Sequence, residues 1–262
     1  MIRALYTAAS GMAAQQTNID NIAHNLANVN TVGFKKSRVE FEDLVYQQSK
    51  APGSPTSATG EAPVGLEMGL GVRPVASSRD FGRGNMRLTS GPLDMAIEGD
   101  GMFQVTLPSG ETAYSRAGSF HLSAEGTLVT SDGNPMQPQI TVPAGATAVT
   151  ISKSGIVSAS IAGQQASQQL GTIELASFRN PAGLNSLGGN LFSATTASGD
   201  ATVGVPGVEG RGGIAQGYLE DSNVSVVEEM VTMILSQRAY EANSKVVKAS
   251  DEMLQQVNSL VR

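Results

Sequence analysis

Apolar side chains recur at alternating intervals of three and four residues near the start of this 262-residue chain. The repeat consists of Ile2, Leu5, Ala9, Met12, Gln16, Ile19, Ala23 and Leu26, and Gln16 is its one polar interruption. Such spacing aligns side chains along one side of an α-helix and is typical of coiled coils. It predicts a long N-terminal amphipathic helix whose apolar seam needs a partner.

The other end of the chain repeats this pattern. Ser225 followed by Glu228 is a capping-box signature, so a second helix is predicted to begin there. Its apolar seam consists of Val227, Val231 and Ile234, followed with a small offset by Ala239, Ala242, Val246, Ala249, Met253, Gln256 and Leu260. No proline or glycine interrupts the run after Gly217. The two terminal helices are therefore predicted to pair as a discontinuous coiled coil.

A stripe of asparagines runs beside the first seam, at Asn18, Asn21, Asn25 and Asn28. Arg3 and Asp20 are the only charged side chains before Lys35, whereas a solvated helix surface usually carries charges of both signs. One interpretation is a helical hairpin that supports a monomer, and the other is a helix pair that packs against copies from other chains. The shortage of charge favours self-assembly, with Gln16 and the asparagine stripe fixing the register between neighbours.

The first helix is predicted to end among Asn28, Asn30 and Gly33. Asparagine tolerates left-handed backbone geometry, and glycine has no side-chain penalty there. Lys35 and Lys36 follow, where positive charge is mildly favourable near the negative end of a helix.

Between the helices the sequence pattern changes twice. Residues 47–65 form an insert rich in Pro, Gly, Ser and Thr, which is typical of an extended or loop segment. From about Gly91, short alternating runs are separated by turn sequences such as Pro-Ser-Gly and Asp-Gly-Asn-Pro, as in antiparallel strands. The turn sequences Ser154-Gly155 and Ala162-Gly163 are expected to continue this series.

The predicted fold class is α+β, with a mainly antiparallel β domain inserted between the terminal helices. Residues 1–32 and 222–262 are predicted to form the paired helices and the assembly core. Residues 33–90 and 195–221 are predicted to be an extended or β connecting region, and residues 91–194 the antiparallel β domain.

Composition restricts the possible functions. The net charge of −6 argues against a general nucleic-acid-binding protein, and the absence of cysteine excludes disulfides and thiolate metal sites. No stretch is apolar enough for membrane insertion, and the N-terminus does not resemble a cleaved signal peptide. With His24 and His121 as the only histidines, no metal site is expected, and no cofactor or catalytic site is predicted. The run Gly210–Ala215 has the letters of a dinucleotide fingerprint without its strand–helix context, so a loop is expected.

Two other classes of function remain open. Asp94, Glu98 and Asp100 cluster among glycines, and paired carboxylates are the catalytic groups of glycosidases. A secreted cell-wall hydrolase is therefore one alternative. A secreted binding module on a helical stalk is the other, and it would remain a monomer or a small closed oligomer.

Several segments resemble the bacterial flagellar rod and hook proteins. The N-terminal signature NIAHNLANVNTVGFKKSR contains the characteristic residues Ala27, Asn28, Thr31, Gly33 and Phe34. The segments AIEGDGMFQV, AYSRAGSF, GYLEDSNVSVVEEM and QRAYEANSKVV continue the likeness along essentially the whole chain. Within this family, the chain length and the insert at residues 47–65 favour the distal rod over the hook or the proximal rod.

The resemblance implies a non-enzymatic building block. Copies would assemble helically into a hollow periplasmic drive shaft that transmits torque to the hook and lets export substrates pass. It also implies export by the flagellar type III apparatus without a cleaved signal peptide. The expected contacts are with other copies, the proximal rod proteins, the hook protein, and the P and L rings that surround the rod and act as its bushing.

Overall fold

The computed structural model of this chain describes residues 2–54, 63–161 and 166–260. Within these ranges the chain begins with one long α-helix, α1 (Ile2–Ala27), and ends with another, α2 (Val226–Leu260), and a series of strands lies between them in the sequence. The strands are β1 (Ser37–Asp43), β2 (Tyr46–Lys50), β3 (Leu66–Gly69), β4 (Val72–Arg79), β5 (Met86–Leu88), β6 (Met95–Glu98), β7 (Met102–Thr106), β8 (Thr112–Ser115), β9 (Phe120–Leu122), β10 (Leu128–Thr130), β11 (Met136–Gln137), β12 (Ala146–Ile151), β13 (Ile156–Ile161), β14 (Gln168–Thr172), β15 (Leu175–Ser177), β16 (Asn185–Gly188), β17 (Leu191–Ser193), β18 (Thr202–Gly204), β19 (Gly213–Gln216) and β20 (Tyr218–Glu220). A 3₁₀ turn spans Pro181–Gly183. This arrangement confirms the predicted α+β class with an inserted, mainly antiparallel β region.

The chain divides into two compact units. The first, which we call the helical unit, comprises Met1–Ala27, Ser37–Ser78 and Ser225–Arg262. The second, which we call the β unit, comprises Asn28–Lys36 and Arg79–Val224. These boundaries differ from the sequence-based ones, because residues 79–90 and 195–221 belong to the β unit rather than to a separate connecting region.

The helical unit contains α1, α2 and two short antiparallel pairs of strands. β1 pairs with β4, and β2 pairs with β3 so that Tyr46 lies opposite Gly69. The insert predicted at residues 47–65 is therefore partly a β-hairpin, and its residues 55–62 lie outside the described part of the chain. The Val72 amide donates a hydrogen bond of 3.4 Å to Ser10 Oγ, which connects the hairpin region to α1.

The β unit contains a seven-stranded sheet in the order β16-β17-β8-β7-β15-β18, with β11 pairing to β7. A three-stranded sheet, β12-β13-β14, and three strand pairs, β6 with β19, β5 with β20 and β9 with β10, complete it. Along β7, Phe103 and Val105 point into the larger hydrophobic core, while Met102 points into a second cluster with Tyr114 and Phe192. The alternation predicted from the sequence is therefore the alternation of core-facing side chains.

Glycine turns connect these strands where the sequence analysis expected them. In the Pro-Ser-Gly turn between β7 and β8, the Gly110 amide donates a hydrogen bond to the Leu107 carbonyl at 2.9 Å. Gly133 and Gly155 close equivalent turns onto Thr130 and Ser152. The expected turn at Ala162-Gly163 lies outside the described residues. Short connections of this kind keep consecutive strands antiparallel neighbours.

Candidate assembly surface

The helices α1 and α2 pack antiparallel along a line of small and polar side chains. Three rungs connect them, and they are Gly11 with Asn243, Asn18 with Ser236, and Asn25 with Glu229. Successive rungs are seven residues apart in both helices, so the pair has a regular heptad register. Asn18 Nδ2 donates to Ser236 Oγ at 2.9 Å, and Asn25 Nδ2 lies 3.4 Å from Glu229 Oε2.

Small side chains let the two helix backbones come close together along this line. A methyl group on Gly11 would lie 2.9 Å from Asn243 Nδ2. Ser236 and Ser250 are the buried members of the α2 face, and Ala8, Ala14, Ile22 and Asn25 are those of α1. The fully buried part of this contact is therefore made mainly of small and polar side chains, together with Ile22.

The predicted asparagine stripe forms hydrogen bonds with other residues of the same molecule. Asn21 Nδ2 and Asn25 Nδ2 both donate to the Ser37 carbonyl at 2.8 Å, and the Ser37 amide donates back to Asn25 Oδ1 at 3.0 Å. Asn18 reaches α2 through Ser236, as described above. Asn28 belongs to the turn after α1, where its carbonyl accepts a hydrogen bond from the Thr31 amide. These amides fix the register of α1 against α2 and β1 of the same molecule.

The predicted apolar seams do not form the line between the helices. On α1, Leu5, Met12, Ile19 and Leu26 are half-buried and Gln16 is exposed. On α2, Val227, Val231, Ile234, Ala242, Val246 and Met253 are all exposed. The side chains of Ile2 and Leu260 lie outside the described part.

Helix geometry explains why these α2 residues are exposed. Val227 lies nine residues before Ser236, which is about 2.5 turns, so the two side chains are on opposite sides of α2. Ser225 begins the helix as expected, because its Oγ accepts a hydrogen bond from the Glu228 amide at 3.5 Å. Val231 and Ile234 lie within about 40° of Val227 around the helix axis, so these three aliphatic side chains of α2 point away from α1.

Ala27 is the last residue of α1, and the other signature residues occupy the turn that follows it. The Phe34 amide donates to the Thr31 carbonyl at 3.2 Å, and the Phe34 ring lies 6.0 Å from the Arg79 guanidinium. Gly33 has a positive φ of 70°, and a methyl group there would lie 2.5 Å from the Ala117 amide nitrogen. Gly33 therefore meets two requirements at once: left-handed backbone and close approach to another backbone.

A buried cluster of charges follows the signature turn, and the sequence analysis did not find it. Lys35 Nζ lies 2.7 Å from Glu220 Oε1, and Arg116 Nε lies 2.7 Å from Glu220 Oε2. Lys35 is only 1% exposed, so it is not the solvated helix-end charge that its position suggested. The three residues are separated by 81 or more positions in the sequence, and no local pattern indicates their proximity.

Backbone groups complete the hydrogen bonds of this cluster. Lys35 Nζ donates to the Gly82 carbonyl at 2.6 Å, the Gly84 amide donates to Glu220 Oε1 at 2.9 Å, and Arg116 Nη2 donates to the Gly99 carbonyl at 2.7 Å. Burial alone would raise the pKa of the Glu220 carboxyl, but the charges of Arg116 and Lys35 outweigh it and lower that pKa. Burial lowers the pKa of Lys35 despite the opposing effect of Glu220.

The carboxylates considered for hydrolysis lie in ordinary surface interactions. Asp94 Oδ2 accepts a hydrogen bond from Thr89 Oγ1 at 2.6 Å. Glu98 lies 3.3 Å from Lys153, and Asp100 lies 3.9 Å from Arg83.

The remaining features considered in the sequence belong to regular elements. His24 lies on α1 and His121 on β9, and both are exposed. Within the described ranges, no group of three or more histidine or acidic side chains could hold a metal ion. The dinucleotide-like run ends in β19, which pairs with β6. A strand therefore follows these glycines, where the fingerprint requires a helix. Neither described helix combines the length and apolarity that crossing a membrane requires.

Comparison with known proteins agrees with this architecture. The family model "Flagella basal body rod protein" matches residues 5–35, which include most of α1 and the signature turn. The model "Flagellar hook protein FlgE/F/G D1 domain" matches residues 96–159 of the β unit. The model "Flagellar basal body rod FlgEFG protein C-terminal" matches residues 215–260, which include α2.

Full-length relatives extend this likeness to the whole chain. The flagellar basal-body rod protein FlgG of Borreliella burgdorferi is 50% identical, with all of both chains covered. That of Caulobacter vibrioides is also 50% identical, with 99% of each chain covered, and that of Bacillus subtilis is 40% identical over the full length of both. The paired terminal helices, the inserted β unit and this end-to-end similarity lead to one conclusion: the chain belongs to the flagellar basal-body rod protein family.

Proposed function

We propose that this chain is a structural, non-catalytic subunit of the flagellar distal rod. Many copies would assemble helically into a hollow periplasmic shaft that transmits torque to the hook and lets export substrates pass. The helix pairs would form the inner wall of this shaft. The full-length similarity to basal-body rod proteins supports the proposal.

One observation carries the proposal: the buried line between the helices consists mainly of small and polar side chains together with Ile22, while Val227, Val231 and Ile234 lie exposed on the opposite side of α2. Val227 is 72% exposed, while Ser236 on the opposite side of the same helix is 5% exposed. An isolated soluble hairpin would be more stable with the reverse arrangement, because burying a valine or leucine side chain is worth about 1.5–3 kcal/mol. Contiguous exposed apolar groups typically mark protein–protein contacts. In a rod, the partner that covers these exposed apolar side chains would be another copy of this chain.

The small and polar side chains of this contact also suggest how the helices behave before assembly. A neutral hydrogen bond contributes only about 1 kcal/mol net to stability, so rungs such as Asn18–Ser236 hold the pair weakly. We infer that the ends of a free monomer open readily and become rigid when neighbours cover them. Chains with easily opened ends also suit passage through a narrow export channel.

The rod proposal brings further partners with it. These are the proximal rod proteins, the hook protein, the surrounding P and L rings, and the flagellar type III export apparatus. The proposed location is the basal body, with the rod running through the periplasm to the outer membrane and its subunits exported without a cleaved signal peptide. Labelling of isolated basal bodies would test this location, and label confined to the cytoplasm would contradict it.

Electron microscopy of concentrated protein tests the central claim. Wild-type protein should form straight, short rods, whereas a hook protein of the same family would form curved filaments. Val231→Asp should give a monomer with unchanged circular dichroism that forms no rods. Gln237→Asp adds the same charge at an exposed polar position and is the matched control. If Val231→Asp protein assembles as well as wild type, the outward apolar surface is not an assembly contact.

A further inference from the structure

An apolar ridge projects from the first turns of α2. We define this ridge as Val227, Val231 and Ile234, which share one side of the helix and are 72%, 53% and 51% exposed. It points away from the rungs that contact α1, so the pairing of the helices within one chain leaves it free. Their spacing of four and three residues is that of an amphipathic helix that places its apolar side in a hydrophobic groove.

A groove of matching character lies at the other end of the helix pair. We call it the end groove, and its volume is about 1080 Å³. Thr7 and Ala8 of α1, Met68 of the hairpin, and Val246 and Leu254 of α2 contribute to its lining. All of these residues belong to the helical unit. The sides of the end groove are formed by α1, α2 and the β2–β3 hairpin.

Because the helices are antiparallel, the ridge and the end groove lie far apart on the same molecule. The ridge centres near residue 231 of α2 and the groove near residue 248, so the two are separated by roughly 25 Å along the helix at 1.5 Å per residue. A ridge cannot reach the groove of its own rigid helix pair. It can reach the groove of a second copy that is shifted along the helix axis.

We propose that the ridge of one copy docks into the end groove of the next copy. This inference rests on the proposed rod function and specifies the contact by which one copy after another joins the rod. The two surfaces differ, so the contact is heterologous, and repeated heterologous contacts generate open helical assemblies rather than closed dimers. In such an assembly, neighbouring copies with parallel helices are offset by the same distance of roughly 25 Å.

Charge at the two surfaces supports this pairing. Glu228 lies in the first turn of α2 beside the ridge, and Arg3 lines the edge of the end groove. Both side chains are exposed, and neither forms an ion pair within the described part of the chain. Docking would bring the Glu228 carboxylate of one copy to the Arg3 guanidinium of the next copy. This ion pair would set the direction of assembly. Three aliphatic side chains and one ion pair bury far less than the roughly 800 Å² per partner of a stable complex, so this contact would depend on further neighbours in the rod.

Engineered cysteines give a direct test, because the natural chain contains none. Val231→Cys and Thr7→Cys combined in one chain should form a ladder of covalent dimers, trimers and longer species when concentrated protein is mildly oxidised. Each single variant can form at most a dimer. A mixture of the two single variants should give mainly the mixed dimer. The same experiment on isolated basal bodies tests the contact in the assembled structure.

A charge exchange provides the second readout. Arg3→Glu and Glu228→Arg should each reduce ladder formation about tenfold, since like charges at a contact are strongly unfavourable. The double variant should restore it, which shows that neither change acts by unfolding the chain. Failure of the double variant to recover would remove the proposed pairing of these two residues.

The outcomes separate this inference from the rod proposal. Straight rods without a cysteine ladder would overturn the ridge-and-groove contact and leave the rod function intact. A ladder without rods would support the contact and count against the rod. Crosslinking of Thr7→Cys to a different basal-body protein would show that the groove has another occupant and would also overturn the inference.

Discussion

Asn18 of α1 donates a hydrogen bond of 2.9 Å to Ser236 of α2, across 218 positions of sequence. This bond is the middle one of three rungs that follow each other at seven-residue intervals in both helices. It replaces the apolar contact that a coiled coil usually has at such a position. As a result, the register of the two chain ends is specified by polar complementarity, and the apolar groups remain available for other molecules.

The rung between Asn18 and Ser236 should be measurable as a coupling energy. We expect the single changes Asn18→Ala and Ser236→Ala each to destabilise the helix pair by about 1 kcal/mol, the usual net value of a hydrogen bond. In a double-mutant cycle, the two changes should be non-additive by about 0.5–1.5 kcal/mol. Urea unfolding followed by circular dichroism of the helices provides the measurement. Asn30→Ala, at an exposed turn position, is the control, and strictly additive effects would mean that the bond contributes nothing.

Glu220 should make the β unit sensitive to acid. Its folded-state pKa is lowered, so its stabilising effect is present above the ordinary carboxyl pKa and is lost as pH falls through the lower folded-state value. Glu220→Gln should cost about 3–5 kcal/mol at neutral pH, because it leaves Lys35 and Arg116 buried without their counter-charge.

Thermal unfolding between about pH 2 and 7 would test this dependence. The midpoint of the wild-type protein should fall more steeply with acid than that of Glu220→Gln. Glu98→Gln removes an exposed carboxylate and should change little. Equal acid sensitivity of wild type and Glu220→Gln would show that other carboxyl groups dominate.

Gly33 should be intolerant of any side chain. Gly33→Ala must place a methyl group 2.5 Å from the Ala117 nitrogen, in addition to the cost of about 1–2 kcal/mol for a left-handed residue. Gly110→Ala is a matched control in the same unit, since its φ is 87° but no atom lies within 4 Å of the added carbon. Unfolding free energies should therefore fall further for Gly33→Ala than for Gly110→Ala, and the difference measures the close approach. Similar losses of unfolding free energy for both variants would show that the backbone near Ala117 shifts to accommodate the methyl group at no cost in stability.

Limited proteolysis should distinguish the two units in the monomer. The contact between α1 and α2 buries mainly small and polar side chains, whereas the β unit has a large apolar core around Phe103 and Phe120. A non-specific protease at low concentration should therefore trim α1 and α2 first and leave the β unit. In assembled rods the helices should be protected. Resistant helices in dilute monomer would contradict ordering on assembly.

Sequence reasoning identified the elements well because their signals are local. The Ser225 cap, the seven-residue repeats and the glycine turns each depend on neighbouring residues within a few positions. The same local signals distinguished long terminal helices from short antiparallel strands. They also carried the family resemblance, since the signature from Ala27 to Phe34 is one continuous segment of the chain.

The sequence by itself determined that each terminal helix has an apolar stripe at coiled-coil spacing, and that α1 also has a stripe of asparagines at the same spacing. Only the tertiary structure decided which stripe faces the partner helix, because both stripes satisfy the same periodicity and the choice depends on how closely the backbones approach. The small and hydrogen-bonding stripe permits the closer approach within one chain, and the apolar stripe of α2 is left outside. The tertiary structure also brought Lys35, Arg116 and Glu220 together, since a buried ion cluster depends on contacts between distant segments that no local pattern encodes.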